Sequence, residues 1–449
     1  MSDTTSLSDD RATADDRATA GESRIDSRVD ALIAMINDPT RATDAALTEQ
    51  FAATFLEQVS TGEIRATIEQ AVASDPGPWV ETDRRVGGEG VLVTLTSESG
   101  ATLSLTLQVE PEGAGKIVGA QLQPGSAAEI DRAFLDPGTQ QQLNDDLLAA
   151  AERPVYGVFD SSVKECTSLM TLAPETLAPT GSAFKLWVLI ALARRIEQGE
   201  ISWDDQVTVE SRLRSSPDGE VYPLSDGAQL SVRRMAELMI SISDNTATDH
   251  LVALVGRARV EAVLDDLGLA GAERNTPLLS TADLFKLKFI DPELGQRYLG
   301  LTDVAQRRAL LDGEVASLAL PWIADPRWTP GESLNRPTLV DRLEWFATAA
   351  DMCLTWRELD RLAEQPGLEP LGQITSINPG LPFPEGQWSQ VRFKGGSEPG
   401  VVMFTYSLVA PGGARRVVVL GLSDSAHVFG ELEPALFAAR LLGLAAAGV

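Results

Sequence analysis

Two residues three positions apart, Ser182 and Lys185, have the types and the spacing needed for nucleophilic catalysis. They come just before an apolar run that predicts a helix, and residues at i and i+3 share one helix face, so the amine can contact the hydroxyl. A serine is a weak nucleophile until a base removes its proton. A lysine whose pKa is lowered by burial can be that base without a histidine. The chain has only six lysines among 37 Lys and Arg residues, which makes a lysine at this spacing more informative.

Two later motifs place more of the same chemistry in the chain. Residues 243–245 read Ser-Asp-Asn, 61 positions after Ser182, and residues 393–397 read Phe-Lys-Gly-Gly-Ser. The first motif follows a helix-like stretch and the second lies in a strand-like one. The ordered trio Ser-x-x-Lys, Ser-Asp-Asn and Lys-Thr-Gly, or a variant of the last, marks class A β-lactamases and penicillin-binding proteins. The chain therefore resembles the penicillin-recognising serine hydrolases.

A narrower resemblance comes from residues 275–281, Asn-Thr-Pro-Leu-Leu-Ser-Thr, and residues 393–400, Phe-Lys-Gly-Gly-Ser-Glu-Pro-Gly. These stretches are similar to a branch of actinobacterial β-lactamase-like serine hydrolases that includes the two-domain cephalosporin esterases of clavulanic acid biosynthesis. The resemblance implies an α+β architecture with two parts. A small N-terminal cone of the ketosteroid isomerase or NTF2 type precedes a class A β-lactamase-like (DD-peptidase-like) α/β sandwich.

The resemblance also implies a catalytic set. Ser182 is expected to attack a carbonyl carbon and become acylated, while Lys185, neutral in the site, accepts the serine proton. Ser243 is expected to pass a proton to the leaving nitrogen or oxygen. Lys394 attracts the substrate carboxylate, and its positive charge favours the neutral form of the other lysine. Asp244 is expected to fix its turn through backbone hydrogen bonds rather than to act in chemistry.

Further residues are expected to bind the substrate. The resemblance assigns the oxyanion hole to the backbone N–H groups of Ser182 and Ser397, next to Gly396. Two such donors, aimed at developing negative charge, lower a barrier by several kcal/mol. Asn245 is expected to hold the catalytic lysine and the amide side chain of the substrate. Phe393 either lines the pocket or belongs to the core.

Two departures from the family pattern bear on turnover. Class A β-lactamases activate the deacylating water with a glutamate followed closely by Leu-Asn, and no Glu-x-x-Leu-Asn occurs between positions 243 and 394. Glu273 is the nearest candidate by order, and Glu-Ser-Leu-Asn at 332–335 is one residue short. We therefore expect slow deacylation of penicillins. The second departure is Gly395, where threonine or serine is usual. The missing hydroxyl would contact the substrate carboxylate, a role that Ser397 can take.

Periodicity and composition divide the chain into three parts. Residues 1–24 are polar and contain a duplicated hexapeptide, which predicts a disordered acidic tail. Residues 25–126 combine helical spacing with three alternating strand segments that start near Val91, which predicts the cone-like α+β domain. This domain has no tyrosine or histidine, so we expect it to support or shape a substrate site rather than to catalyse. Residues 127–449 form the predicted hydrolase domain, starting with a helix over 127–151.

The composition argues against some partners. With 65 acidic and 37 basic residues, the formal net charge is −28 and the pI is about 4.4, which argues against binding to nucleic acid or to anionic membranes. The N-terminal residues lack the basic start and the apolar segment of a signal peptide. The apolar run 186–193 is too short to span a bilayer. The sequence therefore predicts a cytoplasmic protein whose partner is a small-molecule substrate, and it leaves the oligomeric state open.

No cofactor or metal is expected, because no pair of histidines or cysteines has ligand spacing. The two cysteines, Cys166 and Cys353, are expected to be reduced and inert, with a single disulfide left open as an alternative.

The interval from Ser243 to Lys394 is long, and its excess falls around 289–342. This insertion is expected either to cover the site mouth or contact the cone, or to be a peripheral helical elaboration.

Other mechanisms fit the sequence less well. A Ser-His-Asp hydrolase would need a Gly-x-Ser-x-Gly elbow, which is absent, and His250 and His427 are better explained as structural or surface residues. The Gly-rich stretch 112–116 predicts a hairpin turn, whereas a phosphate loop requires a helix start.

The sequence favours a serine hydrolase, an esterase or weak β-lactamase, that acts through an acyl-serine on β-lactam-like or small ester or amide substrates. The alternatives are a protein that acylates without turnover, as a sensor or scavenger, and a D-alanyl-D-alanine peptidase.

Overall fold

The computed structural model describes residues 14–56, 59–72, 75–87, 90–99, 101–110, 115–124, 127–161, 166–320, 336–384 and 386–448. The chain forms two compact units, Met1–Arg132 and Ala133–Val449. The division falls inside the helix Ala127–Leu135, whereas the sequence placed it just before that helix.

The first unit combines helices with one antiparallel sheet. Its helices are α1 (Ala14–Asn37), α2 (Asp44–Gln50), α3 (Ala53–Leu56) and α4 (Thr61–Ala71), and its strands are β1 (Trp79–Gly87), β2 (Gly90–Ser97), β3 (Thr102–Val109) and β4 (Ile117–Pro124). The strands form a meander in the order β1-β2-β3-β4. Helix α5 (Ala127–Leu135) follows the last strand.

Strand β3 illustrates how the sheet acquires one apolar face. Leu103, Leu105, Leu107 and Val109 are buried, and the polar residues between them are more exposed, because successive side chains of a strand point to opposite faces. The buried residues belong to one apolar cluster with residues of helix α1 such as Val29. The alternation read from the sequence therefore identifies the core side of this sheet.

Three expectations for the first unit need correction. Helix α1 begins at Ala14, so the predicted disordered tail 1–24 is too long; residues 1–13 lie outside the described residues. The sheet has an additional first strand, β1, which periodicity missed because most of its side chains are polar. The spacing of Leu47, Phe51 and Phe55 predicts one helix, but it is interrupted, since α2 ends at Gln50 and Phe51 is extended. The likeness to a ketosteroid isomerase or NTF2 cone stays a prediction.

The second unit has a five-stranded sheet and a layer of helices. Its helices are α6 (Gln140–Ala150), α7 (Lys185–Glu197), α8 (Val232–Ser241), α9 (Asn245–Val255), α10 (Arg257–Asp266), α11 (Thr281–Phe285), α12 (Pro292–Gly300), α13 (Val304–Leu310), α14 (Ala349–Ala363), α15 (Pro370–Ser376) and α16 (Leu432–Ala446). Its strands are β5 (Arg153–Asp160), β6 (Thr167–Leu172), β7 (Ala178–Pro179), β8 (Gln206–Thr208), β9 (Gln229–Ser231), β10 (Phe346–Ala347), β11 (Gln390–Glu398), β12 (Val401–Val409) and β13 (Arg415–Ser423). The predicted helix over 127–151 is two helices, α5 and α6.

The large sheet is antiparallel, in the order β11-β12-β13-β5-β6. Strand β13 is buried at every position from Val417 to Ser423, so both faces of the sheet are covered there. Helices α14 and α16 both pack on this strand. The terminal strands thus pair with β5 near the start of the unit, and the helical segments between them form the second layer of the predicted α/β sandwich.

Helix α7 lies at the centre of the helical layer. Every residue from Lys185 to Ala193 is buried, and helices α8, α9, α10 and α14 pack around it. The apolar run 186–193 is therefore a core helix. Among the described residues, no helix has the length and apolarity that a bilayer crossing requires.

The two cysteines form a disulfide. Cys166, just before β6, is bonded to Cys353 in α14, and their Cα atoms are 6.2 Å apart. The expectation of two reduced thiols was wrong, and the disulfide alternative applies. The sequence could not decide between them, because the cysteines are 187 positions apart and their pairing depends on the fold.

The insertion around 289–342 is largely helical where the structure describes it. It contains α12, α13 and a π-helical turn at Leu311–Val315. Residues 321–335, which include the Glu-Ser-Leu-Asn stretch, lie outside the described residues, as do residues 112–114 of the Gly-rich stretch. No described residue of the insertion lines the cavity around Ser182, and both alternatives for its role stay predictions.

Candidate active site

Ser182 lies immediately before the central helix. A 3₁₀ turn, Gly181–Phe184, leads directly into α7 at Lys185. The Ser182 Oγ therefore lies 3.0 Å from the Lys185 Nζ. The turn is packed by Phe184, whose ring stacks on Trp345 with the ring centroids 3.8 Å apart. The contact expected from the Ser-x-x-Lys spacing is present in the folded chain.

Lys185 is completely buried and surrounded by oxygen atoms. Its Nζ lies 3.0 Å from the Oγ of Ser182 and 3.0 Å from the Oγ of Ser243. The carbonyl oxygen of Ser243 is 2.5 Å away and the Asn245 Oδ1 is 2.7 Å away. Two of these oxygens, the Ser243 carbonyl and the Asn245 Oδ1, can only accept hydrogen bonds. A neutral amine can donate its two N–H groups to them and direct its lone pair toward a hydroxyl.

Burial lowers the pKa of Lys185 to about 8, because the charged amine loses its hydration in the interior. The carboxylates of Asp218, Asp249 and Asp244, in decreasing order of effect, oppose this change. With a pKa near 8, about a tenth of the amine is uncharged at pH 7. An uncharged lysine is what proton abstraction from Ser182 requires.

The loop between α8 and α9 presents Ser243. The backbone of this residue has a positive φ of 62°, which is uncommon for a residue with a side chain. Asp244 holds the loop in place, since its carboxylate accepts hydrogen bonds from the N–H groups of Ala247 at 2.8 Å, Glu220 at 2.8 Å and Val221 at 2.9 Å. Asp244 therefore fixes the turn, as expected from the sequence.

Lys394 reaches the same hydroxyl from strand β11. Its Nζ lies 3.0 Å from the Ser243 Oγ and 2.8 Å from the carbonyl oxygen of Gly395. The side chain is buried, and its burial together with the positive charge of Lys185 lowers the pKa of Lys394 well below the usual value. Ser243 therefore connects two buried amines. Repulsion between them favours states in which only one is charged.

Strand β11 also brings its backbone against the turn that holds Ser182. A Cβ atom on Gly396 would lie 2.1 Å from the carbonyl oxygen of Thr180 and 2.5 Å from the backbone nitrogen of Ser182. A Cβ atom on Gly181 would lie 3.0 Å from the backbone nitrogen of Ser397. Only glycine permits this approach at position 396. The approach brings the backbone segment of Ser397 into contact with that of Ser182. Two backbone nitrogens on neighbouring segments are what an oxyanion hole requires.

The ring of Phe393 explains the unusual Gly395. Residues 393 and 395 lie on the same face of strand β11, and a Cβ atom on Gly395 would lie 2.7 Å from the Cζ of Phe393. The ring also packs against Phe404 and Tyr406, with centroids 6.2 Å and 4.7 Å apart. Phe393 lines the cavity around Ser182, so it belongs both to the site wall and to an aromatic cluster.

Asn245 is held by groups on both sides. Its Oδ1 accepts a hydrogen bond from Lys185. Its Nδ2 donates to the Ser216 Oγ at 2.8 Å and to the Asp218 Oδ2 at 3.3 Å, and Ser216 also donates to the other oxygen of Asp218 at 2.6 Å. The sequence prediction missed Asp218. Its Ser-Pro-Asp-Gly context indicates only a turn, and its place beside the site depends on long-range contacts.

A cavity of about 500 Å³ lies beside Ser182, and its lining includes Asp218, Ser243, Asn245 and Lys394. Asp218 carries the one carboxylate among the described residues that line it. Glu273, the nearest candidate for a deacylating base by sequence order, is exposed in the 3₁₀ turn Glu273–Asn275 and does not line the cavity. The described part of the site therefore has Lys185, Lys394 and Ser243 near the Ser182 hydroxyl, and no glutamate among the residues that line its cavity.

A buried ion group anchors the end of strand β11. Glu398, directly after Ser397, binds the Nζ of Lys288, which also lies 2.9 Å from Glu344. Burial and the nearby charge of Glu344 raise the pKa of Glu398 to about 8. Two carboxyl groups thus share one lysine, and the group fixes the strand beside Ser397. Partners this far apart leave no local sequence signal.

The histidines have other roles. His250 is buried, accepts a hydrogen bond at Nε2 from the N–H of Glu210 at 2.9 Å, and has its Nδ1 2.7 Å from the carbonyl oxygen of Thr246. His427 is exposed and lies beside Asp424. Neither is part of the Ser182 cavity. In the described ranges, no group of His, Cys, Asp or Glu side chains is placed to hold a metal ion.

Comparison with known proteins gives matches for both parts of the chain. Residues 139–305 match the model of the β-lactamase enzyme family, and residues 21–117 match the model of the N-terminal part of the ORF 12 gene product. No curated protein matches the chain.

The solved structures to which the chain is similar include two β-lactamases and a mutant of PBP-A. A β-lactamase from Sphaerobacter thermophilus is 22% identical over 68% of this chain and 95% of that chain, with a TM-score of 0.46. A β-lactamase from Chitinophaga pinensis is 17% identical over 68% and 96%, with a TM-score of 0.44. A mutant of PBP-A in an acyl-enzyme complex with penicillin G is 14% identical over 69% and 96%, with a TM-score of 0.45.

The family match covers the segment that carries Ser182, Lys185 and Ser243. It confirms the resemblance to the penicillin-recognising serine hydrolases that the three motifs indicated. The narrower resemblance to the cephalosporin esterases of clavulanic acid biosynthesis stays a prediction.

Proposed function

We propose that this chain, whose residues 139–305 are of the β-lactamase family, is a serine hydrolase that forms an acyl-enzyme on Ser182. The observation that carries the proposal is the fully buried Lys185 amine, which lies 3.0 Å from the Ser182 Oγ and has a pKa lowered to about 8. A base with this pKa, in contact with a hydroxyl, is suited to activate it near neutral pH.

In the proposed acylation step, the Ser182 Oγ attacks the substrate carbonyl carbon while its proton moves to the Lys185 Nζ. The carbonyl π electrons move to the oxygen, which accepts hydrogen bonds from the backbone N–H groups of Ser182 and Ser397. Collapse of this intermediate breaks the bond from carbon to the leaving nitrogen or oxygen. The leaving atom takes a proton from Ser243, whose hydroxyl is resupplied from Lys185 at 3.0 Å.

The charges of the cavity support a substrate with a carboxylate. Lys394 lines the cavity, lies 3.0 Å from the Ser243 Oγ and has no ion-pair partner within the described part of the chain. An anionic substrate group near Lys394 would favour the charged form of its amine and pair with it. This favours β-lactam-like compounds and small carboxylate-bearing esters or amides as substrates. In this proposal Asn245 holds Lys185. To bind a substrate amide oxygen, its Nδ2 must give up its hydrogen bond to Ser216 or to Asp218.

Deacylation decides which activity results. Water must attack the acyl-enzyme, and among the described residues Asp218 is the one carboxylate that lines the cavity, with no glutamate to activate the water. We therefore infer esterase activity or weak β-lactamase activity rather than efficient hydrolysis of penicillins. The same observation favours a second candidate, a penicillin-recognising protein that acylates without turnover and serves as sensor or scavenger.

The first experiment identifies the nucleophile. Wild-type protein and Ser182→Ala are incubated with a penicillin, a cephalosporin and simple acyl esters, and intact masses are recorded. We expect a mass gain equal to the acyl group on the wild type alone, because only Ser182 carries the activated hydroxyl. A mass gain on the alanine variant, or none on the wild type with any reagent, would contradict the proposal.

A second measurement separates enzyme from binder. Release of chromophore from nitrocefin or from a chromogenic ester is followed at high protein concentration. Sustained release after the first equivalent supports the hydrolase, and a single equivalent of product supports the protein that acylates without turnover.

A further inference from the structure

A second cavity in the same unit has the chemistry of an anion site. It measures about 140 Å³ and is lined by Arg274, Arg307, Arg342, Tyr298 and Glu344, together with apolar and backbone groups. None of these residues lines the cavity around Ser182. The role proposed for Ser182 does not use this cavity.

Positive charge dominates this cavity, although the chain has 65 acidic and only 37 basic residues. Three arginines line it, and Glu344 is the one carboxylate among its described lining residues. That carboxylate is already bound, since its Oε1 lies 2.9 Å from the Lys288 Nζ and its Oε2 accepts a hydrogen bond from the N–H of Trp345 at 3.1 Å. None of the three arginines forms an ion pair with a carboxylate in the described part of the chain, and Arg274 and Arg342 are exposed to solvent.

Two of the guanidinium groups are held in fixed positions. Arg307 donates from Nε to the carbonyl oxygen of Leu301 at 2.8 Å and lies over the ring of Tyr298, 5.4 Å from its centroid. Arg274 donates from one terminal nitrogen to the carbonyl oxygen of Asp341 at 2.8 Å and lies 4.5 Å above the centroid of Phe346. Stacking on an aromatic ring leaves the N–H edge of a guanidinium directed outward, with little entropy left to lose.

Two further donors are unused. Within the described residues, the Arg342 guanidinium makes no hydrogen bond or ion pair, and the hydroxyl of Tyr298 makes no hydrogen bond. Burial raises the pKa of Tyr298 to about 12, so its hydroxyl keeps its proton at neutral pH. The cavity thus contains charged guanidinium donors and one neutral hydroxyl donor. The donors of Arg342 and Tyr298 have no acceptor among the described residues.

We propose that this cavity binds a compact, multiply charged oxyanion of the size of inorganic phosphate. Arginine is the side chain best matched to such anions, because its planar donors bind two oxygens at once. A volume of about 140 Å³ corresponds to roughly four or five water molecules. It accommodates a phosphate or sulfate group, and a whole nucleotide does not fit inside it.

The test measures phosphate binding to the whole chain by calorimetry and by thermal unfolding. Sodium phosphate is added in exchange for sodium chloride at constant ionic strength, because phosphate also stabilises proteins non-specifically. We expect saturable binding to the wild type, about tenfold weaker binding to Arg342→Gln, and weaker binding to Tyr298→Phe, which removes only the hydroxyl. The double variant is expected to lose the saturable component.

A matched control is Arg212→Gln, which removes an exposed arginine paired with Glu210 outside this cavity. This variant is expected to bind phosphate like the wild type. Citrate replaces phosphate in a parallel series to distinguish a compact oxyanion from a larger carboxylate. The proposal is overturned if the wild type shows no saturable binding, if the double variant responds like the wild type, or if citrate binds and phosphate does not.

Discussion

The two lysines of the site are buried in an acidic chain, and neither forms an ion pair within the described residues. Lys185 and Lys394 both lie near the Ser243 hydroxyl, at 3.0 Å each. Burial lowers the pKa of both amines, and the charge of Lys185 lowers the pKa of Lys394 further. Folding tolerates this unfavourable burial because the neutral amines still find hydrogen-bond partners. The result is a base whose protonation changes in the pH range where it must act.

This electrostatic arrangement predicts the pH dependence of acylation. Below its pKa, Lys185 carries a proton and cannot accept one from Ser182, so the acylation rate should fall as the pH drops through about 8. The negative charge of Asp218 raises this pKa, and Asp218→Asn should therefore move the midpoint to lower pH. Because Asp218 is exposed, we expect a change of about half a pH unit or less.

Single-turnover acylation rates between pH 5 and 10, roughly the range over which such a lysine titrates, check this prediction. Asp204→Asn is the control, since Asp204 is also exposed but does not line the cavity. A midpoint that moves upward in Asp218→Asn, or moves equally in the control, would contradict the assigned role of Lys185 as base.

Strand β11 supplies most of the second half of the site. It carries Lys394, Gly396 and Ser397 within four consecutive positions, paired in antiparallel register with β12. Glu398 then fixes the strand through the buried Lys288. One edge strand therefore determines the position of the second amine and of one backbone donor. A small displacement of this strand should affect the chemistry without changing any catalytic side chain.

The substitution Gly396→Ala tests this dependence on β11. The added Cβ would lie 2.1 Å from the Thr180 carbonyl oxygen and 2.5 Å from the Ser182 nitrogen, so the strand must move away from the nucleophile. We expect the acylation rate to fall by about 10² to 10³, the cost of losing one oxyanion donor. Gly412→Ala is the matched control, because nothing lies within 4 Å of its added Cβ. An acylation rate within threefold of wild type, in a folded Gly396→Ala protein, would refute the oxyanion assignment.

The disulfide joins distant parts of the second unit. Cys166 precedes the edge strand β6, and Cys353 lies in α14, which packs against both the sheet and the central helix. Disulfides persist in oxidising compartments and are rare in the cytosol. Such a bond is therefore unusual for the cytoplasmic location predicted from the sequence, and that location stays a prediction.

Loss of the disulfide should destabilise the second unit. A crosslink that closes a loop of 187 residues restricts the unfolded chain, and its removal typically costs about 2–5 kcal/mol of unfolding free energy. We expect the wild-type Tm to fall on addition of a thiol-free reductant. The double variant Cys166→Ser/Cys353→Ser should have the lower Tm whether or not reductant is present. An unchanged wild-type Tm, with two free thiols detected after reduction, would show that the bond does not stabilise this unit.

Local features of the sequence predicted the parts of the site that depend on local geometry. The contact between Ser182 and Lys185 follows from a three-residue spacing at a helix start. The role of Asp244 in fixing its turn follows from the preference of aspartate for turns. The alternating leucines of β3 likewise identified a buried face. Each of these depends on residues a few positions apart, where backbone geometry leaves little choice.

Tertiary packing alone decided the remaining features. The approach of Gly396 to Ser182, the place of Asp218 beside Asn245, the pairing of the cysteines and the exclusion of Glu273 all involve residues far apart in the chain. Their distances depend on how helices and strands pack, and no local preference specifies that packing. The sequence thus determined which chemistry is available to this protein, whereas the tertiary structure decided which groups meet and which stay apart.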